Sequence, residues 1–511
     1  MKKAHRRRRK SFRKHSPSPT TTHPGTEPSA SPTPRHSWWT TDPSPPSPAT
    51  GEPSWLILDR IVHRSRRRRG VIAGDATASE IARDCVGRPI SASLRIAEPP
   101  AVSRLYLHWR GMPSDSKFAE PTSIAAHRNS ILFRVTVPFE DSMWRNQGYR
   151  FPCDYFVYSC SSSPSLTRLP PCFDDGGRPD PVLDKLFQPY RRQQQRTLID
   201  QSMGILCHGD KAGEFTVANL WFHFHQGVEA QLCLLHHPPP AASSHVSVEW
   251  SVKKVQIPSN MNIINLDSWQ TDVVVPIGGR CLCWVDYYQG MLLLDVLTAT
   301  KSSSPDQQQL LHYIQFPSKA LRSRRVYMEV TEPDPLRCLS VSDAGIITLV
   351  CIITKEQPSP SYPFTITTWT LIDIQHGRWE KDPELNHGSQ SVLPSLRCPE
   401  LPSTGAAKFS CDVVCFLLED RARGLFWTVQ ADMREKLLQS SAIYINEEEE
   451  EGYPPKRARR NRFFGHYFIP SKFSSYLSED DITSLEHSGT MQKEKEARVV
   501  LKCGLEAQAN E

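Results

Sequence analysis

The sequence predicts an all-β fold, a β-propeller-like repeat of antiparallel hairpin blades, about six in number. The prediction depends on three features: short apolar runs fill the middle of the chain, a strand–turn–strand unit recurs, and long amphipathic helical patterns are absent. Runs of about four to eight bulky residues bounded by Pro, Gly, Asp and Ser are typical of strands. A pair of β-sandwich domains is the alternative arrangement of the same strands.

The predicted strands begin at Trp55–Asp59, and short helices are considered only over Asp75–Cys85 and Pro181–Phe187. Two early blade units are expected around Leu105–Val137 and Phe151–Pro171. The further strand-like runs are Phe215–Phe224, Val273–Val275, Arg280–Tyr287, Met291–Leu297, Ile346–Ile353, Phe364–Ile374, Val413–Leu418 and Leu425–Val429.

The recurring unit is a strand, an Asp-x-x-x-Gly turn and a second strand. It is clearest at Asp286 with Gly290 and at Asp420 with Gly424. Asp can hydrogen-bond the backbone of a turn and Gly supplies positive φ, so these residues are predicted to build hairpins. Weaker copies are centred on Asp210 with Gly213 and on Asp343 with Gly345, and the tryptophans expected to anchor blade packing are Trp250, Trp284 and Trp427.

Four regions are predicted along the chain. Residues 1–52 are rich in Arg, Pro, Ser and Thr and are expected to be disordered, because they could bury too little to offset the ordering entropy. Residues 53–440 form the propeller-like domain. Residues 441–477 hold an acidic run, a basic run and a closing strand near Phe463–Ile469, and residues 478–511 form a polar, frayed tail.

The positive charge is concentrated in the N-terminal tail. Residues 1–52 carry ten Lys and Arg against three acidic residues, while the whole chain has a formal net charge of +6. The body is therefore near neutral, which does not favour nucleic acid as its partner, although the basic tail could contact one. The basic cluster Lys456–Arg460 resembles a nuclear-import signal. The predicted location is the nucleus or cytoplasm, with a plastid as the alternative if the tail is a transit peptide.

Composition also limits the environment of the chain. The fourteen cysteines form no C-x-x-C pair and lie in apolar runs, which favours buried free thiols in a reducing compartment. No apolar run reaches the roughly 18 residues of a membrane span, so no membrane association is expected.

A histidine cluster is the first candidate for chemistry. His223 and His225 would share one face of a strand, with His236 and His237 one strand later and Asp210 or Glu214 as a third ligand. Ordinary strand histidines are the favoured interpretation, because no H-E-x-x-H spacing is present.

The other candidates are weaker. Cys207 and His208 are adjacent, but neighbouring side chains on a strand point to opposite faces and cannot form a nucleophile–base pair. No phosphate-loop motif occurs, and the basic runs Arg64–Arg69 and Arg322–Arg325 are interpreted as solvated loops. No catalytic residue, metal or cofactor is assigned.

Three segments resemble a known family: Val248–Val255, Thr271–Pro276 and Cys283–Gly290, the last containing Trp-Val-Asp-Tyr. With Trp55–Arg60 and Ala97–Pro100 they are similar to the domain-of-unknown-function 1618 family, which is abundant in grasses, over about residues 54–440. The resemblance implies a propeller-like domain of the kind that accompanies F-box modules, but no activity or catalytic residue, and the chain contains no recognisable F-box.

The function expected from these observations is that of a non-enzymatic protein-interaction module in which loops on one rim of a rigid ring bind a partner. One alternative is a nuclear regulatory factor imported through the basic clusters. The other is a hydrolase or lyase of propeller type with its site in the channel.

Overall fold

The computed structural model describes residues 55–64, 77–110, 121–137, 153–161, 163–173, 196, 198–208, 213–223, 229–238, 248–258, 261, 266–301, 309–321, 337–342, 345–354, 364–382, 387–388, 406–408, 413–420, 425–432, 437–445 and 468–471. The chain divides into two units, residues 1–50 and 51–511, and every described residue belongs to the second. The predictions of disorder for 1–52 and of fraying for 478–511 lie outside the described residues.

Twenty-eight strands account for almost all regular structure in the described residues. In chain order they are β1 (Leu56–Asp59), β2 (His63–Arg64), β3 (Ala82–Arg83), β4 (Pro89–Arg95), β5 (Val102–Trp109), β6 (Thr122–His127), β7 (Ser130–Thr136), β8 (Cys153–Ser159), β9 (Ser165–Arg168), β10 (Met203–Cys207), β11 (Phe215–His223), β12 (Glu229–His237), β13 (Trp250–Gln256), β14 (Val273–Ile277), β15 (Cys281–Asp286), β16 (Gly290–Asp295), β17 (Gln309–Leu310), β18 (His312–Gln315), β19 (Arg337–Val341), β20 (Ile347–Thr354), β21 (Phe364–Asp373), β22 (Arg378–Lys381), β23 (His387–Gly388), β24 (Ala406–Lys408), β25 (Val413–Asp420), β26 (Leu425–Asp432), β27 (Leu437–Ile445) and β28 (Phe468–Ser471).

These strands form six sheets, the blades of a six-bladed β-propeller, which confirms the predicted fold class. The second to sixth blades follow the chain, with orders β6-β7-β8-β9, β10-β11-β12-β13-β17, β14-β15-β16-β18, β19-β20-β21-β22 and β24-β25-β26-β27. The paired-sandwich alternative is wrong, because the sheets pack one after another in a single series rather than as two facing pairs. Of the two early units, Leu105–Val137 spans the boundary between the first and second blades.

The first blade joins both ends of the described chain, in the order β28-β1-β5-β4-β3 with β2 beside β5. β1 pairs antiparallel with β28 and parallel with β5, so N-terminal and C-terminal strands share one sheet. β28 also contacts β6 of the second blade and β24 of the sixth. This pairing closes the ring. The strand β28 (Phe468–Ser471) overlaps the last two residues of the predicted run Phe463–Ile469, and β27 runs through the predicted boundary at 440/441.

A buried polar cluster holds this closing seam. The Asp59 carboxylate, 1% exposed, accepts hydrogen bonds from the Ile61 amide and the Tyr444 hydroxyl, both at 3.0 Å. Its other oxygen lies 3.0 Å from His63 Nε2 and 3.7 Å from Arg104 Nε. Arg104 also donates to the Tyr444 carbonyl. One carboxylate on β1 thus ties β5 of the first blade to β27 of the sixth.

The hydrophobic core consists of clusters between neighbouring blades. Four are present in the described residues, and they join the first blade to the second, the second to the third, the third to the fourth and the fourth to the fifth. Blades covered on both faces explain the runs that are apolar on both sides of a strand, such as β15, which is buried throughout.

Tryptophan N–H groups add polar ties between blades. Trp284 donates to the Ser202 carbonyl at 2.9 Å, Trp250 to the Pro170 carbonyl at 2.7 Å and Trp379 to the Gln315 carbonyl at 3.0 Å. In each case the acceptor carbonyl lies in the preceding blade or in a segment that borders that blade. Trp284 and Trp250 therefore anchor blade packing as predicted, and Trp427 lies half-buried on β26.

The Asp–Gly turns differ from the prediction in two ways: they lie at different hairpins of their blades, and Gly290 is required for a different reason than positive φ. Asp286 lies at the second hairpin of its blade, whereas Gly213 and Gly345 lie at first hairpins, so the weaker copies are a different turn. Gly213 and Gly345 have φ of 92° and 77°, but Gly290 is not in the positive-φ region. At Gly290 a Cβ would lie 2.4 Å from the Ile314 carbonyl oxygen, so close strand approach requires this glycine. Asp210, Asp343 and Gly424 lie outside the described residues.

The predicted helices are not found in the described residues, and the one α-helix that is described was not predicted. The helix considered over Asp75–Cys85 is wrong, because Ala82–Arg83 pairs with β4 and the Asp84 carboxylate caps a tight turn by accepting the Val86 and Arg88 amides. Pro181–Phe187 lies outside the described residues. The helix α1 (Val296–Lys301) was not predicted. It begins where the Asp295 carboxylate accepts the Leu297 and Thr298 amides, which ends β16. No helix in the described part of the chain is long and apolar enough to cross a membrane.

Candidate functional site

The second hairpins of the third and fourth blades turn on the same side of the propeller. These hairpins join β11 to β12 and β15 to β16, and residues 266–272, which lead into β14, lie beside the end of β11 and the β15–β16 turn. The Phe222 and Trp269 ring centroids are 6.4 Å apart, which joins the end of β11 to the segment before β14.

Asp286 builds the turn of the fourth blade, as predicted. One carboxylate oxygen accepts the Tyr288 amide at 2.8 Å, and the other accepts the Gln270 amide at 2.8 Å and the Gln289 side-chain amide at 3.1 Å. Asp272 accepts the Tyr287 amide at 2.8 Å. Both carboxylates are only 2% exposed, so this pair of acids fixes the loop and is not open to a substrate.

Aromatic side chains cover this side of the two blades. Four of them are half-buried and are called here the aromatic rim: Trp221, Phe222, Trp269 and Tyr288. Trp269 makes edge-to-face contacts with Phe222 and with the buried Tyr313, both at 6.4 Å, and its N–H donates to Thr271 Oγ1 at 3.1 Å. Trp269 is therefore held between Phe222 and Tyr313, whereas Trp221, next to Phe222 on β11, points to the opposite face of the third blade and contacts the His223 ring at 5.8 Å.

Tyr288 belongs to the rim, and the buried Tyr313 lies beneath Trp269. The Arg337 guanidinium lies 4.8 Å from the centre of the Tyr288 ring, a cation–π contact that extends the rim to the fifth blade. Burial raises the pKa of Tyr313 to about 12, with a smaller contribution from Asp286. Tyr313 stays a neutral donor at physiological pH, and its hydroxyl points at the Gln289 carbonyl, 3.4 Å away.

The predicted ligand His223 lies beside the rim and is held by an arginine. Arg196 donates to His223 Nε2 at 3.2 Å and to the Gln231 side-chain oxygen at 2.6 Å. A guanidinium has no acceptor, so His223 Nε2 must be the unprotonated nitrogen and its lone pair is occupied. His225 lies outside the described residues.

The remaining predicted histidines lie at the other end of the same blade. Thr216 pairs with His236 near the start of β11 and His223 pairs with Glu229 at its end. Seven residues of strand separate Thr216 from His223, about 23 Å. The structure therefore separates His223 from His236, His237 and Glu214. Among the described residues no group of three or more His, Cys, Asp or Glu could hold a metal ion.

A carboxylate–imidazole–hydroxyl row occurs at that second end. Glu214 lies 3.1 Å from His208 Nδ1, His208 Nε2 lies 2.9 Å from Thr216 Oγ1, and His236 Nδ1 lies 3.3 Å from the same hydroxyl. Thr216 is 0% exposed, so this hydroxyl cannot reach a substrate as a nucleophile. Burial, opposed by Glu214, lowers the pKa of His208, and the His208 and His236 rings stack at 5.2 Å. The row satisfies polar groups between strands.

All the described cysteines except Cys85 are buried, as predicted. Cys207 Sγ donates to the His127 carbonyl at 3.2 Å, whereas His208 bonds Thr216 and Glu214, so the adjacent pair does not interact. Burial raises the pKa of Cys207 to about 11 and that of Cys281 to about 12. These thiols are inert at physiological pH.

Several sequence candidates lie outside the described residues: 65–69 and 322–325 of the basic runs, and the import-like cluster 456–460. The aromatic rim itself was missed. Trp221 and Phe222 belong to a run interpreted only as a strand, and Trp269 lies in a segment between predicted strands. A signal was present, since aromatic residues end the predicted strand before a turn, but only the fold brings Phe222 beside Trp269.

Comparisons with known proteins add a family and a distant structure. A family model described as "Protein of unknown function (DUF1618)" matches residues 284–415, which confirms the predicted family. No curated protein is significantly similar. The structure of an alpha-L-arabinanase from Cellvibrio cellulosa, complexed with arabinohexaose, is similar at 10% identity and a TM-score of 0.22, covering 63% of this chain and 96% of that one.

Proposed function

We propose that this chain, a member of the DUF1618 family by its residues 284–415, is a non-enzymatic protein-interaction module that binds a partner protein through the aromatic rim. The observation that carries the proposal is that four half-buried aromatic residues lie at the same end of two adjacent blades, two of them, Phe222 and Trp269, in direct contact. Tyr, Trp, Phe and Arg are the residues enriched at protein interfaces and at their energetic centres.

The construction of the rim supports binding over catalysis. The carboxylates beneath it, Asp272 and Asp286, are occupied by backbone amides, and His223 is occupied by Arg196. The exposed surface offers ring faces, the Arg337 guanidinium and the Gln270 side chain. Such a surface recognises a segment that supplies apolar side chains and hydrogen-bond acceptors.

In the proposed mechanism the rim binds its partner without changing conformation. The rim is held by three ties: the Asp286 turn, the Trp284 bond to the third-blade segment and the Gln289–Ser268 hydrogen bond at 3.2 Å. A partner therefore meets side chains already near their bound positions and pays little ordering entropy.

The test compares rim variants in direct binding. Trp221→Ala and Tyr288→Ala each truncate a half-buried ring, and Tyr106→Ala truncates a half-buried ring on β5 of the first blade as the matched control. Partners are identified by cross-linking with the full chain in its native tissue, and the purified partner is then titrated by calorimetry. A hot-spot truncation should weaken binding by about tenfold or more, since it costs roughly 1–2 kcal/mol or more.

The expected result is a loss of affinity for both rim variants and unchanged affinity for Tyr106→Ala. A partner whose affinity is equal for all four proteins binds elsewhere, and the assignment of the rim is then wrong. Turnover of a small-molecule substrate that is lost only in the rim variants would replace the binding role by an enzymatic one.

A further inference from the structure

The carboxylate–imidazole–hydroxyl row lies where β10 turns into β11, at the end of the third blade away from the aromatic rim. His236 is exposed, whereas His208 is 7% exposed and Thr216 is 0% exposed, so the row runs from solvent into the blade. Thr216 Oγ1 lies 2.9 Å from His208 Nε2 and 3.3 Å from His236 Nδ1. One buried hydroxyl therefore connects a solvent-facing imidazole with an enclosed one.

Donor and acceptor capacity fixes the protons of the row when both rings are neutral. The Glu214 carboxylate only accepts, so His208 Nδ1, 3.1 Å away, carries a hydrogen. The other nitrogen of a neutral imidazole has a lone pair, so Thr216 donates its single proton to His208 Nε2. The Thr216 oxygen then accepts from His236 Nδ1, which carries the hydrogen of that ring. Every donor in the row thus points toward Glu214.

We propose that His236, Thr216 and His208 form a proton relay in which the two imidazoles share one proton from solvent, and that a second proton opens the β10–β11 end of the third blade. The first proton binds the lone pair of His236 Nε2 and makes that ring an imidazolium. In the relayed form the His236 Nδ1–H bond breaks as Thr216 gains that proton. The original Thr216 O–H bond breaks as His208 Nε2 gains its proton, which leaves His236 neutral and His208 charged.

Both positions of the first proton keep every hydrogen bond of the row. With the charge on His236, Thr216 still donates to His208. With the charge on His208, Thr216 accepts from His208 Nε2 and donates to His236 Nδ1. His208 donates to Glu214 in either case. The relay therefore takes up one proton without leaving a buried donor or acceptor unpaired.

A second proton breaks this arrangement. Two imidazolium rings would both donate to the Thr216 oxygen, and the proton of this fully buried hydroxyl would have no acceptor in the row. The His208 and His236 rings stack with centroids 5.2 Å apart, so two positive charges would repel at close range. Burial lowers the pKa of His208, and the neighbouring His236 acts in the same direction while Glu214 opposes them.

The hairpin end is the part that must yield. The His208 amide donates to the Glu214 carbonyl at 3.2 Å, so the same two residues close the hairpin through their backbones. A charged His208 that leaves the row for solvent takes this bond with it. The backbone bonds farther along β10 and β11 involve none of the row's imidazoles, so we expect opening to stay local.

The other titratable groups near His208 in the described residues lie outside the relay. Arg128, in the turn between β6 and β7, adds a positive charge that also disfavours a charged His208. His127 Nδ1 accepts the Cys207 amide at 2.9 Å, and burial raises the pKa of Cys207 to about 11. His237 is the next residue on β12, so it points to the opposite face of that strand, and it donates to a backbone carbonyl at 3.1 Å.

The test locates the protons by nitrogen NMR on the full chain with isotope-labelled histidine, and His208→Gln and His236→Gln identify the two signals. At about pH 8 the relay requires the Nδ1–H form of both rings. Thr216→Val keeps the shape but removes the hydroxyl, so His236 should shift toward the Nε2–H form, and Thr216→Ser should restore Nδ1–H. His237→Gln changes the adjacent histidine and should leave both rings as they are in the natural chain.

A pH titration then follows the two protons. The rings should titrate in two steps separated by more than about one pH unit, because they interact directly. Hydrogen exchange of β10 and β11, corrected for the intrinsic effect of pH, should stay constant through the first step and rise at least about tenfold with the second. An Nε2–H form of either ring in the natural chain at about pH 8, or exchange that already rises with the first proton, would overturn the relay. So would an unchanged His236 tautomer in Thr216→Val, and the natural chain alone decides if that variant does not fold.

Discussion

Replacing Gly290 by alanine tests why the turn of the fourth blade needs a glycine. Gly290 is the first residue of β16 and lies between Asp286 on β15 and Gln315 on β18. An added Cβ would lie 2.4 Å from the Ile314 carbonyl oxygen and 3.0 Å from Gln315 Cα. Real Cβ atoms essentially never come within 3.0 Å of another heavy atom, so the two strands must separate by about 0.6 Å.

The cost follows from what that movement breaks. The nearest atoms are backbone, so no side-chain rotation relieves the contact, and β18 must move against its hydrogen bonds to β16. Overpacking of this kind costs about 1–3 kcal/mol, and we expect the upper half of that range. For a unit of about 400 residues with an unfolding entropy near 2 cal/mol/K per residue, 2–3 kcal/mol lowers the melting temperature by about 3 °C.

The assay is thermal and urea unfolding of the full chain, with Gly279→Ala as control. Gly279 lies in the β14–β15 turn, has no atom within 4 Å of its Cβ position and is not in the positive-φ region, so alanine should change stability by less than about 0.5 kcal/mol. Equal midpoints for the two variants would refute the close-approach explanation. A Gly290→Asn variant much milder than Gly290→Ala would instead favour a left-handed backbone, which Asn tolerates.

Three further predictions concern the seam, the thiols and the histidines. Tyr444→Phe removes a hydrogen bond to the buried Asp59 and should cost about 1–3 kcal/mol in urea unfolding, whereas Tyr106→Phe should cost less than about 0.5; equal losses would contradict the role of the seam. A thiol reagent at about pH 8 should leave Cys153 and Cys207 unlabelled in the folded chain and label them in denaturant, because burial raises their pKa to about 12 and about 11; rapid native labelling would contradict this burial. Burial lowers the pKa of His208 and His237 below the ordinary 6.5, so the unfolded chain binds more protons than the folded chain as pH falls. Stability is therefore lost below about pH 6.5, and the urea midpoint should drop between about pH 7.5 and 5.5. A drop of the same size in His237→Gln would exclude His237 as a cause.

Local patterns predicted the elements they directly encode. Bulky runs between turn residues form strands because neighbouring blades cover both faces of the sheet. Asp286 caps its turn by accepting the amide of Tyr288, two residues later, and the amide of Gln270, in the loop before β14. The helix considered at Asp75–Cys85 does not form, because a local side-chain interaction favours a turn there. The Asp84 side chain offers the nearby amides a turn, which competes with helix formation.

The sequence by itself determined the fold class, the approximate number of blades, the family and the burial of the thiols, because these depend on periodicity and composition, which act over a few residues. Tertiary structure decided how the ring closes, since β28 meets β1 across more than 400 residues of chain. It also separated His223 from His236 by the length of one strand and brought Trp269 beside Phe222. Contacts between residues distant in the chain depend on how the blades pack against one another, and no local pattern records that packing.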